Sequence, residues 1–328
     1  MEQKIEALSM SWRVARAIRQ EGWTGEVIAV HPQSVYATDE DDEIYAIVRQ
    51  PLGNGPLNLV IPAEPAAPLF DGLAVGTSLA STGTVLGIGE IITIGLERAV
   101  MWDPKAYAAL TADPEALDRG LAEVCRQLSH AAPAESLACL LPYLQDEDLP
   151  DPLERVAHFP RSHALIGGLA ESLAQRDRRR LKVVTSSLAG LGPGLTPAGD
   201  DFIAGVLLAL ALVREQTPDQ GLSEIAALLL ETSAPRTHEV SAAYLRAACD
   251  GQAGERWHPL LAALAAGGTA QIADAVAPVL ATGETSGADM LAGFVVGIGA
   301  LRGGTGAWRT AVPAGGPAAS SSPLRPAG

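Results

Sequence analysis

The stretch Gly190-Leu191-Gly192-Pro193-Gly194-Leu195-Thr196-Pro197-Ala198-Gly199-Asp200-Asp201 puts glycines, prolines, a hydroxyl and two carboxylates directly ahead of an apolar run that begins at Phe202. Its glycines and prolines fix an unusual backbone path, and Thr196 before Pro197 reads as a helix N-cap followed by proline at the first helical position. The spacing therefore predicts a helix starting near Thr196. Free N–H groups at such a start, with glycine-exposed backbone before it, suit an oxyanion. Asp200 and Asp201 then lie about one turn into the helix. They either complement its dipole and pair with arginine, or sit at the edge of a buried element where an unpaired charge is costly and a partner, arginine or a divalent cation, is required.

A second stretch, Thr282-Gly283-Glu284-Thr285-Ser286-Gly287-Ala288-Asp289-Met290-Leu291-Ala292-Gly293, repeats this pattern and again runs into apolar helix. Two registers are open. Aligned on the threonines, Thr196 matches Thr285 and Asp200 matches Asp289, each Thr and Asp lying on one helical face; aligned on the helices, Asp201 to Gly205 matches Asp289 to Gly293. Packed about a pseudo-twofold, the two helix starts would meet in one polar site that includes Asp200, Asp201 and Asp289. The competing reading is that Gly205 and Gly293 only let two buried helices approach closely. Further along, Arg236 opens another helix and suits either bidentate binding of a substrate carboxylate or a capping role. His158 and His163 flank Pro160 at a poor spacing for one face and read as structural. The basic run from Arg176 to Arg180 reads as a solvated helix end. The acidic run from Asp39 to Glu43 lacks the alternating ligands and central glycine of a calcium loop and reads as a hairpin turn. No G-x-S-x-G elbow, H-E-x-x-H or P-loop is present.

The elements that must position these residues divide the chain in two. Ile5, Leu8, Trp12, Ala15 and Ile18 predict one amphipathic helix over residues 5–18. From residue 25 to about 96 come short β-branched stretches broken by Gly, Pro, Asn and Asp, which predict a small antiparallel, barrel-like β domain. Beyond Trp102 the Ala/Leu-rich segments 104–130, 134–145, 161–182, 201–216, 221–232, 238–250, 259–266, 269–280 and 289–301 predict helices. The fold expected is α+β, with a β-rich domain over 1–102, a larger helical domain over 103–302 and a disordered tail over 303–328, where large apolar groups are too few to offset ordering entropy.

Of 328 residues, 48% are hydrophobic and 19% charged, the balance of a globular protein. The formal net charge is −15, and of the 23 basic residues only Lys4, Lys105 and Lys182 are lysines. Such a chain lacks the basic face that phosphate neutralisation on nucleic acid needs. The three cysteines, Cys125, Cys139 and Cys249, are too few and too scattered for a disulfide framework or a C-x-x-C metal site, which fits a reducing cytoplasm. The start lacks the basic-then-apolar pattern of a signal peptide. The longest apolar runs, Phe202 to Val213 and Met290 to Leu301, are too short to span a bilayer.

The two Gly/Asp stretches, Gly190 to Gly205 and Thr282 to Gly293, resemble the AllH-like family, whose hallmarks are a GLGPGLTPAGDD loop and a later TSG-x-D-x-L-x-G element. The resemblance extends over roughly residues 20–302 and includes the layout of β-rich front and helical back. It implies a cytoplasmic subunit of oxamate carbamoyltransferase in allantoin and ureide breakdown, which converts oxalurate and phosphate to oxamate and carbamoyl phosphate with the help of partner subunits. On that reading Gly192, Gly194 and Thr196, with Thr285 and Ser286, hold an anionic substrate, Arg236 holds its carboxylate, and Asp200, Asp201 and Asp289 orient reacting groups or bind Mg²⁺, the cofactor expected if any is used. The alternative is a non-catalytic assembly subunit whose Gly/Asp loops close an interface with its partners. A homo-oligomer is compatible with either.

Overall fold

In the segment Ser34-Val35-Tyr36-Ala37-Thr38 the alternate residues Val35 and Ala37 are apolar, the period-two pattern of a strand with two different faces. The computed structural model describes residues 3–63, 69–106, 113–144, 149–154, 159–217 and 219–302, and it places those two side chains in the core of a curled sheet. The proposed tail from residue 303, and His158, lie outside the described residues. Ten strands form the sheet among the described residues: β1 (Gln3–Glu6), β2 (Ser9–Ser11), β3 (Glu21–His31), β4 (Ser34–Thr38), β5 (Ile44–Arg49), β6 (Asn58–Ile61), β7 (Ser78–Thr82), β8 (Val85–Ile88), β9 (Ile92–Gly95) and β10 (Val100–Trp102). Their order is β1-β9-β8-β7-β3-β4-β5-β6-β2-β10. Most pairs are antiparallel, as expected, with β1/β9, β5/β6 and β2/β10 parallel.

The curl follows from the connection between β1 and β2. Only Ala7 and Leu8 separate them, yet β1 is the first strand of the order and β2 the last but one; Ala7 N–H bonds Gly95 O of β9 at 2.9 Å while Leu8 N–H bonds Val60 O on β6 at 2.8 Å. The sheet must bend round until its two ends lie one residue apart. This overrides the helical periodicity read over residues 5–18. Helix α1 covers only Trp12–Ile18, Ser11 caps it by accepting from Val14 N–H, and Leu8 and Trp12, assigned by periodicity to the buried face, are 38% and 42% exposed. Residues 39–43 make the turn between β4 and β5: the Asp39 carboxylate accepts from the N–H groups of Asp41 and Glu43 and from the Tyr45 hydroxyl.

Strand β5 is buried on both faces, which explains its unbroken run Ile44-Tyr45-Ala46-Ile47-Val48. Tyr45 and Ile47 point into the barrel; Ile44, Ala46 and Val48 point outward and pack with Val240 and Ala243 of the helical domain. That domain comprises α2 (Pro114–Ala131), a 3-10 helix (Leu137–Tyr143), α3 (Asp151–Glu154), α4 (Phe159–Ala174), α5 (Arg178–Leu188), α6 (Ala198–Gln216), α7 (Gln220–Ser233), a 3-10 turn (Ala234–Arg236), α8 (Glu239–Cys249), α9 (Trp257–Ala266), α10 (Thr269–Leu280) and α11 (Ser286–Leu301). Segment 161–182 is two helices, not one. Arg176 adopts a positive φ and Asp177 caps α5 through the N–H groups of Arg179 and Arg180. The arginines here are solvent-facing and form ion pairs with Asp219, Glu224 and Glu171.

Helices α6 and α11 form the centre of this domain and are apolar nearly all round, as fully buried helices must be. Gly205 lies against Met290 and Phe294, Gly293 against Phe202, and Gly297 against Val206 and Ala209. Positions rise together along both helices, so the two run parallel and start at the same end. A Cβ built on Gly205 would stand 1.9 Å from Met290 O, and one on Gly293 would stand 1.9 Å from Phe202 O. Gly205→Ala should therefore force the pair apart and lower stability by more than ~2 kcal/mol, at the upper part of the range for overpacked cores. Chemical denaturation checks this; an unchanged midpoint would show that the backbones are not in contact.

Candidate functional site

Helix α6 begins at Ala198 and α11 at Ser286, so Asp201 and Asp289 are each the fourth residue of their helix. The helix-aligned register is the one the fold uses. Thr196 does not cap α6: the N-cap position is Pro197, with no side-chain hydrogen bond, and α11 likewise starts at Thr285 without a side-chain cap. Proline after Thr196 ends up one position earlier than expected because the chain is still extended there. The Thr196 hydroxyl instead lies 3.2 Å from that of Ser286, joining the two helix starts across the pseudo-repeat. Two parallel starts side by side bring their positive dipole ends together, roughly half an elementary charge each, while Gly199 N–H donates to Leu191 O and Gly287 N–H to Thr282 O, each at 2.9 Å. The preceding loop folds onto α6: Gly192 has a φ of 119°, open to glycine but rarely to other residues, and a Cβ there would sit 2.9 Å from Ala198 N. Pro193 and Gly194 form its exposed tip.

The three carboxylates in this potential have different surroundings. Asp200 is 1% exposed and fully engaged: Oδ1 accepts from Gly190 N–H at 2.9 Å, and Oδ2 accepts from Ser241 Oγ at 3.0 Å and from the Thr237 hydroxyl. It ties the glycine loop and the start of α8 to α6. Asp289, also buried, does the same on the other side, where Oδ1 accepts from Ser136 Oγ at 2.7 Å and Leu137 N–H at 2.6 Å at the start of the 3-10 helix. Burial pushes its carboxyl up to about 6 despite these bonds and the Thr285 hydroxyl. Asp201 is different. The hydroxyls of Ser286 and Thr196 face it, yet its buried Oδ2, like that of Asp289, has no hydrogen-bond partner, and burial, reinforced by the negative charges of Asp289 and Asp200, raises its pKa well above the ordinary carboxylate value. A neutral Asp201 is compatible with an anion beside it; an ionised one would repel it.

Two residues that sequence reasoning missed complete the surroundings. Tyr36 of β4 and Tyr244 of α8 pack against the same apolar cluster at the seam between the domains, where burial raises the pKa of both phenols. The signal for Tyr36 was its place opposite Val35 and Ala37 on an alternating strand, but nothing in one sequence says which helix that outer face meets. Arg236 is exposed and donates to Thr232 O at 3.1 Å, the capping role, while its main-chain oxygen packs on Gly190. His163 bonds Tyr143 O at 2.6 Å and joins α4 to the 3-10 helix, a structural role. As a Mg²⁺ site the three carboxylates are poorly suited, because Asp200 has both oxygens engaged and Asp289 one. Among the described residues no group of three or more His, Cys, Asp or Glu side chains converges as metal ligands. Cys125, Cys139 and Cys249 are free. A shallow apolar groove between α9 and α10, lined by Pro259, Ala262, Ala266 and Pro278, shares no residue with the two motifs.

The raised pKa of Asp289 has a consequence for folding. Its folded value of about 6 lies above the ordinary 3.8, so the folded state binds this proton more tightly than the unfolded chain does. The associated stability is fully present below the unfolded value and is lost as pH rises through the folded one. Asp289→Asn removes the titration while keeping an acceptor for Ser136 and Leu137. The stability of this variant relative to the wild type should increase as pH rises from about 4 to above 6. Melting curves of both proteins across that range test it; a constant difference would show that Asp289 is not held up by burial.

The comparisons with known proteins identify the family. The model of a family described as oxamate carbamoyltransferase subunit AllH matches residues 188–298, which contain both helix starts, Tyr244 and all three carboxylates. The model of the AllH family N-terminal domain matches residues 6–101, nearly the whole curled sheet with Tyr36. No solved structure matched the chain. No described helix is long and apolar enough to cross a membrane. With both parts matched in the order in which they fold, the chain belongs to the AllH family, that of the oxamate carbamoyltransferase subunit.

Proposed function

We propose that the chain is the substrate-binding subunit of an oxamate carbamoyltransferase-like enzyme acting on oxalurate and phosphate with partner subunits, and that its site lies where α6 and α11 start. The observation that carries this reading is the meeting of two helix starts without side-chain caps, bridged by Thr196 and Ser286, around a buried oxygen of Asp201 that lacks a hydrogen bond. The N–H groups and hydroxyls are donors for phosphate, from Gly192, Gly194 and Thr196 on one side and Thr285 and Ser286 on the other. Arg236, whose main chain packs on Gly190, is the cation we assign to the oxalurate carboxylate.

In the reaction a phosphate oxygen attacks the ureido carbonyl carbon, the bond from that carbon to the inner nitrogen breaks, and the nitrogen leaves as the amide of oxamate. That nitrogen must gain a proton. Asp201, whose carboxyl burial shifts towards the protonated form, is the group we assign to supply it. Asp200 and Asp289 act on the site through the backbone they brace, which sets them apart from Asp201.

The exposed loop tip at Pro193 and Gly194 favours a second reading, in which the Gly/Asp loops dock a partner subunit and chemistry occurs elsewhere. Asp201→Asn separates the two, since it keeps shape and hydrogen-bonding capacity but cannot give up a proton. In the assembled enzyme, phosphate-dependent cleavage of oxalurate should fall by at least ~10²-fold, with the melting temperature and assembly unchanged. Full turnover in the variant would remove Asp201 from the chemistry and leave the docking reading.

A further inference from the structure

A second set of contacts between the sheet and the helical domain converges on Arg256, the residue just ahead of α9. Its guanidinium reaches in two directions. Nη1 donates to Ala281 O at 2.7 Å and lies 3.4 Å from both Pro278 O and Thr282 Oγ1, at and just beyond the end of α10, while Nη2 donates to Pro51 O at 2.8 Å, in the turn that follows β5. An arginine at a helix end is explained by the last carbonyls and the dipole there. The second arm is not, because Pro51 belongs to the other domain. The turn held by the first arm is the one that leads into α11, and it is closed on itself: Gly283 has a φ of 62°, Gly287 N–H donates to Thr282 O at 2.9 Å, and a Cβ on Gly287 would stand 2.0 Å from Val279 O. Thr285 and Ser286 lie within this closed turn, and Ser286 Oγ is 3.2 Å from the Thr196 hydroxyl.

We propose that Arg256 is a positioning residue for phosphate: it fixes the turn between α10 and α11 against the sheet, and so sets where Thr285 and Ser286 stand opposite Thr196 and the glycine loop. This rests on the reading of the site given above and adds that the sheet domain takes part in it through a side chain that touches no substrate. The bonds within the turn fix its shape; Arg256 fixes its place. The fork matters as much as the charge. A planar guanidinium addresses Ala281 O and Pro51 O with separate nitrogens in a rigid geometry, which a lysine ammonium on its flexible stem does not reproduce. The Pro51 side is itself firmly held, since Asn54 Nδ2 donates to Glu255 Oε2 at 2.6 Å, Glu255 N–H to Asn54 O at 2.9 Å and Ser9 Oγ to Asn54 Oδ1 at 2.6 Å. A displaced turn moves hydroxyl and N–H donors away from phosphate in the ground state and the transition state alike, so the loss falls on KM for phosphate and not on kcat.

In the assembled enzyme Arg256→Ala should raise KM for phosphate about tenfold while KM for oxalurate and kcat stay within about twofold, the pattern of binding lost to one substrate. Arg256→Lys keeps the charge without the fork and is expected to retain most of that rise; should the alanine variant not fold, the lysine variant decides. Asn54→Ala loosens the same seam without touching the turn, and should lower the melting temperature with both KM values unchanged. Full recovery in the lysine variant would mean that Arg256 acts by its charge alone. An equal rise in both KM values, or the same split in Asn54→Ala, would mean that it acts through stability alone. Each of these overturns the proposal, as does an unchanged KM for phosphate in Arg256→Ala. Calorimetric titration of inorganic phosphate into the full chain gives a second readout that does not require turnover. Wild-type binding that weakens about tenfold in the Arg256 variants but not in Asn54→Ala supports the positioning role even if oxalurate is not cleaved, in which case the reaction assigned above is what fails. Phosphate binding that ignores the Arg256 substitutions, or no binding at all, refutes it.

Discussion

Contact between the backbones of α6 and α11 governs the arrangement of the helical domain. At Gly205 and Gly293 there is no room for even a methyl group, so the helices lie side by side along their length and in the same direction. Parallel packing is electrostatically awkward, because both positive ends fall together in a region from which water is largely excluded. The chain answers with acidic residues in the first turn of each helix, and those carboxylates then recruit what surrounds them. Asp200 gathers the glycine loop and the start of α8; Asp289 gathers the 3-10 helix. The polar arrangement at these helix starts thus follows from how two apolar helices pack, and it leaves Oδ2 of both Asp201 and Asp289 buried without a partner.

The second organising feature is the seam. Because β5 is covered on both faces, the sheet cannot be lifted from α8 without exposing apolar area on the strand and the helix alike. Polar links reinforce it at the other end: Asn54 Nδ2 donates to Glu255 Oε2 at 2.6 Å, Glu255 N–H donates to Asn54 O at 2.9 Å, and Arg256 Nη2 reaches Pro51 O at 2.8 Å. Tyr36 is therefore held against α8 by contacts on a scale that a single hydroxyl does not decide. The family splits into two sequence units, but the seam draws on both.

Much of this was legible in the sequence, and the limits have physical causes. Long buried helices such as α6 and α11 declare themselves by uninterrupted apolar runs, and the repeated Gly/Asp elements announce two similar helix starts. The alternation in β4 and the solid run in β5 give the strands. Residues 5–18 misled because Ile5 and Leu8 recur at a helical spacing while their backbones are claimed by pairing with β9 and β6, partners nearly ninety and fifty positions away. Thr196 misled because a Thr-Pro pair has the composition of a cap without its geometry; its hydroxyl has turned to Ser286. Which of two adjacent aspartates braces the fold and which is left unpaired depends on a rotation of about 100° around a helix, and only the positions of Gly190, Thr237 and Ser241 decide it. The tyrosines were beyond reach for the same reason, as they meet only once two distant segments have docked.

The pairing of α6 with α11 also sets a timetable for synthesis. Helix α6 leaves the ribosome with an apolar surface on nearly every side, while the end of the helix that fills its glycine notch is encoded about 85 residues later. At ~5–20 residues per second that interval is ~4–17 s, during which α6 has neighbours such as α5, α7 and α8 but not its principal partner. A nascent chain in that condition offers a sticky apolar rod to any other nascent chain nearby, and the window closes only when α11 slides into register. Selection on this protein therefore acts on the speed and safety of that wait as well as on the finished site.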